Sequence, residues 1–278
     1  NMLDVFAKSK IFEGKKGLIM GIANERSIAY GIAKACHMQG AELAFSYMGD
    51  AFLKRLKPIA TKMGSDFLIE CDVGKNEDID KAFAQIEEKW GKLDFVVHAI
   101  AYSDKTELTG RYVDTSLENF LMSMHISCYS FTYVAKKAAE LMPDGGSLLT
   151  LSYYGAEKSI PHYNVMGVCK AALESSTKYI AADLGKDNIR VNAISAGPVK
   201  TLAASGIGDF KYIFKWNEEN SPMRRNITIE EVGGAATLLL SELGLGITGE
   251  IMHVDGGYNT VGMRAVDDLE EIKNGGKI

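Results

Sequence analysis

Short, almost wholly apolar runs alternate with longer amphipathic segments along this 278-residue chain, and that alternation limits its fold more than any single motif does. GLIMGI is followed by IAYGIAKACHMQG, ELAFSY by AFLKRLKPIATKMG, FLIECDV by IDKAFAQIEEKWG, and LDFVVHAI by a long segment ending near Leu141. SLLTLS, a helix carrying Tyr163, IRVNAIS, a helix from about Ile229 to Leu243 and a short strand EIMHVD complete the series. Strands without a polar face must be covered on both sides, and the intervening helices supply that cover. The pattern predicts an α/β fold, a doubly wound parallel sheet. No Pro/Ser-rich linker and no repeat period interrupts it, so one domain is expected over residues 2–264. Two stretches break the rhythm. Residues 200–226 form a long connection after the sixth strand, mix small, aromatic and apolar side chains, and read as a lid. The charged tail 265–278 is expected to be partly disordered.

Charge and composition narrow the function. The net charge is -5 and no basic stripe or arm is present, which argues against a nucleic-acid partner. Cys36, Cys71, Cys128 and Cys169 are widely spaced, with no C-x-x-C pair and no histidine cluster, so neither a zinc site nor a redox dithiol is indicated. They read as buried thiols in a reducing compartment. No basic segment followed by an apolar run opens the chain, and no apolar stretch approaches the ~20 residues of a membrane span. A cytoplasmic protein is expected, and Asn1 ahead of Met2 is set aside as foreign to the natural chain.

The ends of the strands carry nucleotide-binding signals. After the first strand, Gly21-Ile-Ala-Asn-Glu-Arg-Ser27-Ile28-Ala-Tyr-Gly31 turns into a helix. Gly21 permits positive φ and close backbone approach, Ser27 is placed to cap the helix, and the helix N-terminal amides suit a pyrophosphate. The glycines are farther apart than in G-x-G-x-x-G, so a plain strand-to-helix turn is an equally good reading of this loop taken alone. After the third strand, Asp72 and Val73 offer a carboxylate and an apolar wall, although Asp72 also suits the cap of the next turn. Small residues in His98-Ala99-Ile100-Ala101 leave room for a ribose beside the backbone. After the second strand, Tyr47-Met48-Gly49-Asp50 has no Arg or Lys for a 2′-phosphate, and Lys54 falls a turn into the next helix, so NADH is expected rather than NADPH. After the sixth strand, Gly197-Pro198-Val199-Lys200-Thr201 supplies a turn able to expose backbone groups to a nicotinamide carboxamide.

The stretch LSYYGAEKSIPHYNVMGVCKAALES holds Tyr163 seven residues ahead of Lys170. On a single helix that spacing turns through about 700° and sets phenol and ammonium on one face, two turns apart. An isolated pair of this kind also describes a core ring and a surface charge. The wider context favours chemistry. The runs IPHYNVMGVCKA, VNAISAGPVKTLAASGI and GEIMHVDGGY, in this order, resemble the enoyl-acyl-carrier-protein reductases of bacterial fatty-acid synthesis over residues 12–263. That group is a divergent, Rossmann-like branch of the short-chain dehydrogenases/reductases. The broader family uses Tyr-x3-Lys, which here would require a tyrosine at Met166.

The resemblance implies NADH-dependent reduction of trans-2-enoyl thioesters carried on acyl-carrier protein. Tyr163 is then the donor that stabilises the enolate, and Lys170 holds the nicotinamide ribose. Tyr153, where carbonyl-reducing relatives have a serine, borders the acyl chain; Tyr154 should point away if the strand continues through it. Cofactor contacts are implied for Gly21, Ser27, Ile28, Met48, Asp72, Val73, Ile100, Lys170, Val199, Thr201, Leu202 and Ala203, with Asp72 at the adenine amino group. Substrate contacts are implied for Ser103, Tyr153, Ala203 and Ile207, with Ala204 and Phe210 completing an apolar lid. No metal is implied. Lys211, Lys215, Arg224 and Arg225 are candidate contacts for an acidic carrier protein, or simply solvated charges. A homotetramer built by the long helices and the last strand is implied as well. Two rival readings are a 3-oxoacyl-thioester reductase, which would want Tyr-x3-Lys and a serine near position 153, and a nucleotide-binding sensor that has lost catalysis.

Overall fold

The apolar runs become seven parallel strands in the order β3-β2-β1-β4-β5-β6-β7. They are β1 (Lys16–Met20), β2 (Glu42–Tyr47), β3 (Leu68–Glu70), β4 (Phe95–His98), β5 (Gly146–Ser152), β6 (Ile189–Ala196) and β7 (Ile251–Val254). The computed structural model describes residues 10–207 and 209–265, so the tail beyond Ala265 lies outside the described residues. Successive strand residues face opposite sides of the sheet. Leu18, Val96 and Leu148 accordingly enter a core shared with α3 (Asn76–Trp90), α5 (Ser130–Glu140) and α6 (Val165–Leu184). Their neighbours Ile19, Val97 and Leu149 enter the opposite core, shared with α1 (Ile28–Met38), α2 (Asp50–Lys62) and α8 (Ile229–Leu240).

Two sequence details set how closely the layers approach. A Cβ on Gly31 of α1 would lie 2.3 Å from the Ile229 carbonyl oxygen, and one on Gly233 would lie 2.6 Å from the Gly31 carbonyl oxygen, so α1 and α8 cross backbone to backbone. Arg190, buried in β6, donates to the carbonyls of Leu239 (2.7 Å) and Ser241 (2.9 Å), closing the C-terminal end of α8 with a positive charge. The other end of α8 carries a reciprocal Thr228–Glu231 capping box.

In the long segment after β4, short 3₁₀ turns at Lys105–Leu108 and Tyr112–Asp114 precede α4 (Leu117–Met124), and a π turn at His125–Tyr129 joins α4 to α5. Two local expectations change. The helix expected to carry Tyr163 begins only at Val165. Strand β5 ends at Ser152, and Tyr154 starts a 3₁₀ turn, with its ring edge-on to Tyr258 at 5.6 Å.

The strand order reverses between β1 and β4, where connections leave to opposite faces and open a crevice at the C-terminal strand ends. The close α1–α8 crossing generates a prediction. Gly31→Val should cost about 3 kcal/mol in urea unfolding, because neither backbone can retreat. Gly185→Ala, whose Cβ would meet nothing within 4 Å, should change stability by less than about 0.5 kcal/mol.

Candidate active site

Tyr153 and Tyr163 meet just beyond the C-terminal end of β5, and Lys170 reaches the last residues of that strand at Leu151. Lys170, in the second turn of α6, is 7% exposed and donates from Nζ to the Leu151 carbonyl at 2.7 Å. Burial pulls its pKa from 10.5 down to about 8, opposed by the nearby Cys169, Cys128 and Glu174. Tyr163 does not ride on α6. It sits in the turn before the helix, flanked by His162 (φ 55°) and Asn164 (φ 47°, ψ -126°), two non-glycine residues in sparsely populated backbone regions. Glycines shape the slot for its ring: a Cβ on Gly155 would lie 2.2 Å from the Tyr163 ring, and one on Gly167 would lie 2.7 Å from the Gly155 carbonyl oxygen. The rings of Tyr153 and Tyr163 meet edge to face, 4.9 Å apart at 86°.

Burial raises the pKa of both phenols, assisted at Tyr163 by Tyr153 and at Tyr153 by Tyr258. Both therefore stay protonated near neutrality and are able to donate. Around them lie Leu108, Val165, Met166 and Cys169, with Phe120, Met124, Ile160 and Ile207 packed against the cluster. Ile207, an expected substrate contact, thus packs against the Tyr163 cluster. Ala203, the other expected substrate contact on the lid, is exposed and outside that cluster. Ser103 is buried, but its hydroxyl is engaged by Asn119, which donates from Nδ2 at 3.1 Å.

The expected cofactor residues fall along one rim of the sheet. Gly21 closes β1 with φ 103°, and a Cβ there would lie 2.0 Å from the Ala99 carbonyl oxygen, which ties the loops after β1 and β4 together. Ser27 does not cap α1. Its Oγ accepts from the amides of Ala23 (2.9 Å) and Asn24 (3.1 Å), bracing the glycine turn and leaving the first amides of α1 from Ile28 onward without a side-chain cap. Asp72 accepts from the Gly74 amide at 2.9 Å, the turn-capping alternative, with Val73 buried beside it. Met48 is 55% exposed after β2, and Lys54 lies within α2. Ile100 packs at the edge of one core and Val199 at the edge of the other. Thr201 Oγ1 accepts from the Ala204 amide at 3.0 Å, while Leu202 is exposed. A cleft of about 540 Å³ between the glycine loop and the segment after β6 is lined by Asn24, Arg26, Lys200, Thr201, Phe210 and Lys211, among others.

Several positioning groups escaped the sequence reading. Asn119 accepts from the Asp104 amide (3.0 Å) and the Ser123 hydroxyl (3.2 Å). Ser127 accepts from the Tyr102 amide (2.9 Å) and donates to its carbonyl (3.0 Å), fixing the chain that leaves β4. Buried His98 lies within hydrogen-bond distance of Ser130 (2.7 Å) and Thr150 (3.1 Å), and burial, then the charge of Lys170, takes its pKa down to about 3. The Ser116-x-x-Asn119 helix start was the available signal for Asn119; nothing local marks the other two. The candidate carrier contacts are partly committed elsewhere: Arg225 makes a two-pronged pair with Glu231 (2.7 and 3.0 Å), and Lys215 pairs with Glu219 at 3.6 Å.

A parallel sheet in this order, with a glycine turn at the first strand end and the strand-order reversal beside it, defines a Rossmann-like, dinucleotide-binding class of fold. A family model described as enoyl-(acyl carrier protein) reductase matches residues 21–259. Enoyl-[acyl-carrier-protein] reductase [NADH] 1 of Rhizobium meliloti is 62% identical over 96% of this chain and 98% of its own. The crystal structure of the Anaplasma phagocytophilum enoyl-(acyl-carrier-protein) reductase in complex with NAD superposes with a TM-score of 0.90 at 63% identity, covering 94% of this chain and 99% of that one. The Aquifex aeolicus enzyme, enoyl-[acyl-carrier-protein] reductase (NADH), superposes at 0.89 with 50% identity over 91% of this chain and all of its own. The chain belongs to the enoyl-acyl-carrier-protein reductase family.

The buried ammonium has a thermodynamic signature. Folded Lys170 releases its proton near pH 8 whereas the unfolded chain holds it to 10.5, so between these values the unfolded state binds more protons and stability rises with pH. Without ligand, the stability of wild type relative to Lys170→Met should climb by about 2 kcal/mol from about pH 8 to pH 10. A flat difference would mean that the ammonium is solvated.

Proposed function

We propose that this protein reduces trans-2-enoyl thioesters on acyl-carrier protein with NADH, the last step of bacterial fatty-acid elongation. The observation that carries the reading is the buried edge-to-face pairing of the Tyr163 and Tyr153 rings beyond the end of β5, together with a buried lysine whose ammonium donates to the Leu151 carbonyl of that strand. An ammonium has three N–H donors, and Leu151 takes one of them in the hydrogen bonds among the described residues. The remaining donors suit ribose hydroxyls, and the α1 amides suit a pyrophosphate, so the residues present fit a nicotinamide dinucleotide.

When bound, NADH supplies the hydride. Tyr163 donates to the thioester oxygen as negative charge gathers there, a role that requires a protonated phenol and a water-poor pocket. Lys170 orients the nicotinamide ribose and adds positive potential beside the developing enolate. Tyr153 holds the Tyr163 ring edge-on and borders the reacting end of the acyl chain. Gly21, Ser27, Ile28, Asp72, Val73, Ile100, Val199 and Thr201 are proposed to line the cofactor, and Ile207 to cover the chain. The absence of a basic group between Tyr47 and Asp50 supports NADH over NADPH.

The proposed unit is one reductase domain over residues 2–264, with a lid at about 200–226. Assembly as a homotetramer is supported by exposed Val113, Leu117 and Leu121, spaced four residues apart ahead of and along α4, and by the open edge at β7. Among the described residues no helix is long and apolar enough to cross a membrane, and a cytoplasmic site of action is proposed. Docking of an acidic carrier is proposed for Lys211 and its surroundings; Arg225 and Lys215 contribute less because acidic partners already neutralise them.

The test is steady-state oxidation of NADH, and separately NADPH, with a trans-2-enoyl thioester and with the matching 3-oxoacyl thioester. Turnover confined to the enoyl substrate with NADH is expected. Turnover on the oxo compound alone would contradict the proposal, and NADH binding with no turnover on either would favour the sensor reading.

A further inference from the structure

The turn that presents Tyr163 is pinned on two sides. Asn164 Nδ2 donates to the carbonyls of Glu107 (3.3 Å) and Gly110 (3.0 Å), fixing the C-terminal side of the turn to the segment that follows β4. On the N-terminal side, His162 Nδ1 donates to Asp209 Oδ2 at 2.6 Å, and Asp209 belongs to the lid. Backbone conformations such as those of His162 and Asn164 persist only where surrounding contacts over-determine them. These two side chains supply those contacts, one from the body of the fold and one from the lid.

Asp209 is also placed where a carboxylate has another use. It occupies the N-cap position of α7 (Phe210–Asn220), yet its side chain accepts no hydrogen bond from that helix. An N-cap Asp usually contributes to its own helix; here the carboxylate is directed to His162. The opposite end of α7 is held independently, by Trp216 Nε1 donating to the Tyr258 hydroxyl (3.0 Å) and Asn217 to Asn226 (3.1 Å). The His162–Asp209 pair therefore joins the leading end of the lid helix to the turn of the proposed oxyanion donor. Two residues before Asp209, Ile207 packs on the Tyr163 cluster.

We infer that His162 and Asp209 are positioning residues that couple the seating of the lid on the acyl chain to the placement of the Tyr163 hydroxyl. This rests on the enoyl-reductase reading and names what in this chain links substrate enclosure to the chemical step. Neither side chain touches the reacting atoms. Both are about two-fifths exposed (38% and 39%), so their removal should leave the core intact.

The experiment is a double-mutant cycle of His162→Ala and Asp209→Ala, with KM for the enoyl thioester, KM for NADH, kcat and the melting temperature measured for each variant. Each single change should raise the thioester KM about tenfold and lower kcat, with a smaller change in the NADH KM. The double variant should be no worse than either single one, since both remove the same link. Asp209→Asn, which keeps an oxygen acceptor, should recover most of the loss. Effects of the two changes that multiply, an unchanged thioester KM, or no recovery in Asp209→Asn would overturn the inference. If the alanine variants unfold, His162→Phe and Asp209→Leu, which remove the donor and the acceptor while keeping side-chain bulk, repeat the cycle. A wild type inactive on every enoyl thioester would instead overturn the functional reading, whereas an active wild type with multiplying losses would overturn the coupling alone.

Discussion

A lysine side chain at 7% exposure is tolerated only where something accepts its protons, and Lys170 finds that acceptor in the Leu151 carbonyl, 2.7 Å away at the end of β5. That contact ties α6 to the end of β5. Burial lowers the pKa of the ammonium to about 8, so it is mostly charged near neutrality. It also constrains the neighbours: His98, buried on the adjacent strand within hydrogen-bond distance of Ser130 and Thr150, is kept neutral in part by the positive charge of Lys170. The four cysteines are buried and unpaired, and burial pushes the thiols of Cys71 and Cys169 up to about 12, so they act as apolar filling and not as nucleophiles.

The placement of Tyr163 follows from a different kind of constraint. A helix would have carried it along with Lys170, but the chain uses a strained turn between His162 and Asn164, with glycines at 155 and 167 admitting the ring. The strain is held by contacts to two distant segments, the backbone carbonyls of Glu107 and Gly110 after β4 and the Asp209 carboxylate after β6.

Much of this architecture was legible in the sequence. Strands buried on both faces announce themselves as continuous apolar runs, and β1, β2, β4, β5 and β6 fall where those runs lie. Gly21 was readable because its combination of φ 103° and close approach to Ala99 leaves no room for a side chain. Spacing misled at Tyr163, since a seven-residue interval is compatible with a shared helical face but does not require the helix to begin before the tyrosine. Ser27 misled similarly: a serine just ahead of a helix suggests a cap, whereas its oxygen is taken by two loop amides upstream. The irregular passage from Tyr102 to Tyr129 was illegible because its conformation is set by long-range polar contacts of Asn119 and Ser127, which periodicity does not encode. The charges of the lid were visible, but their partners Glu231 and Glu219 emerge only once the chain has folded.

The central claim is a division of labour, with Lys170 holding the cofactor and Tyr163 stabilising the substrate oxyanion. It is tested most directly by measuring NADH dissociation constants alongside single-turnover hydride transfer for Tyr163→Phe and Lys170→Ala. The account predicts NADH affinity within about twofold of wild type for Tyr163→Phe while hydride transfer slows about a hundredfold, and for Lys170→Ala a loss of about tenfold in affinity together with slowed transfer. Equal losses of cofactor affinity in the two variants would contradict it.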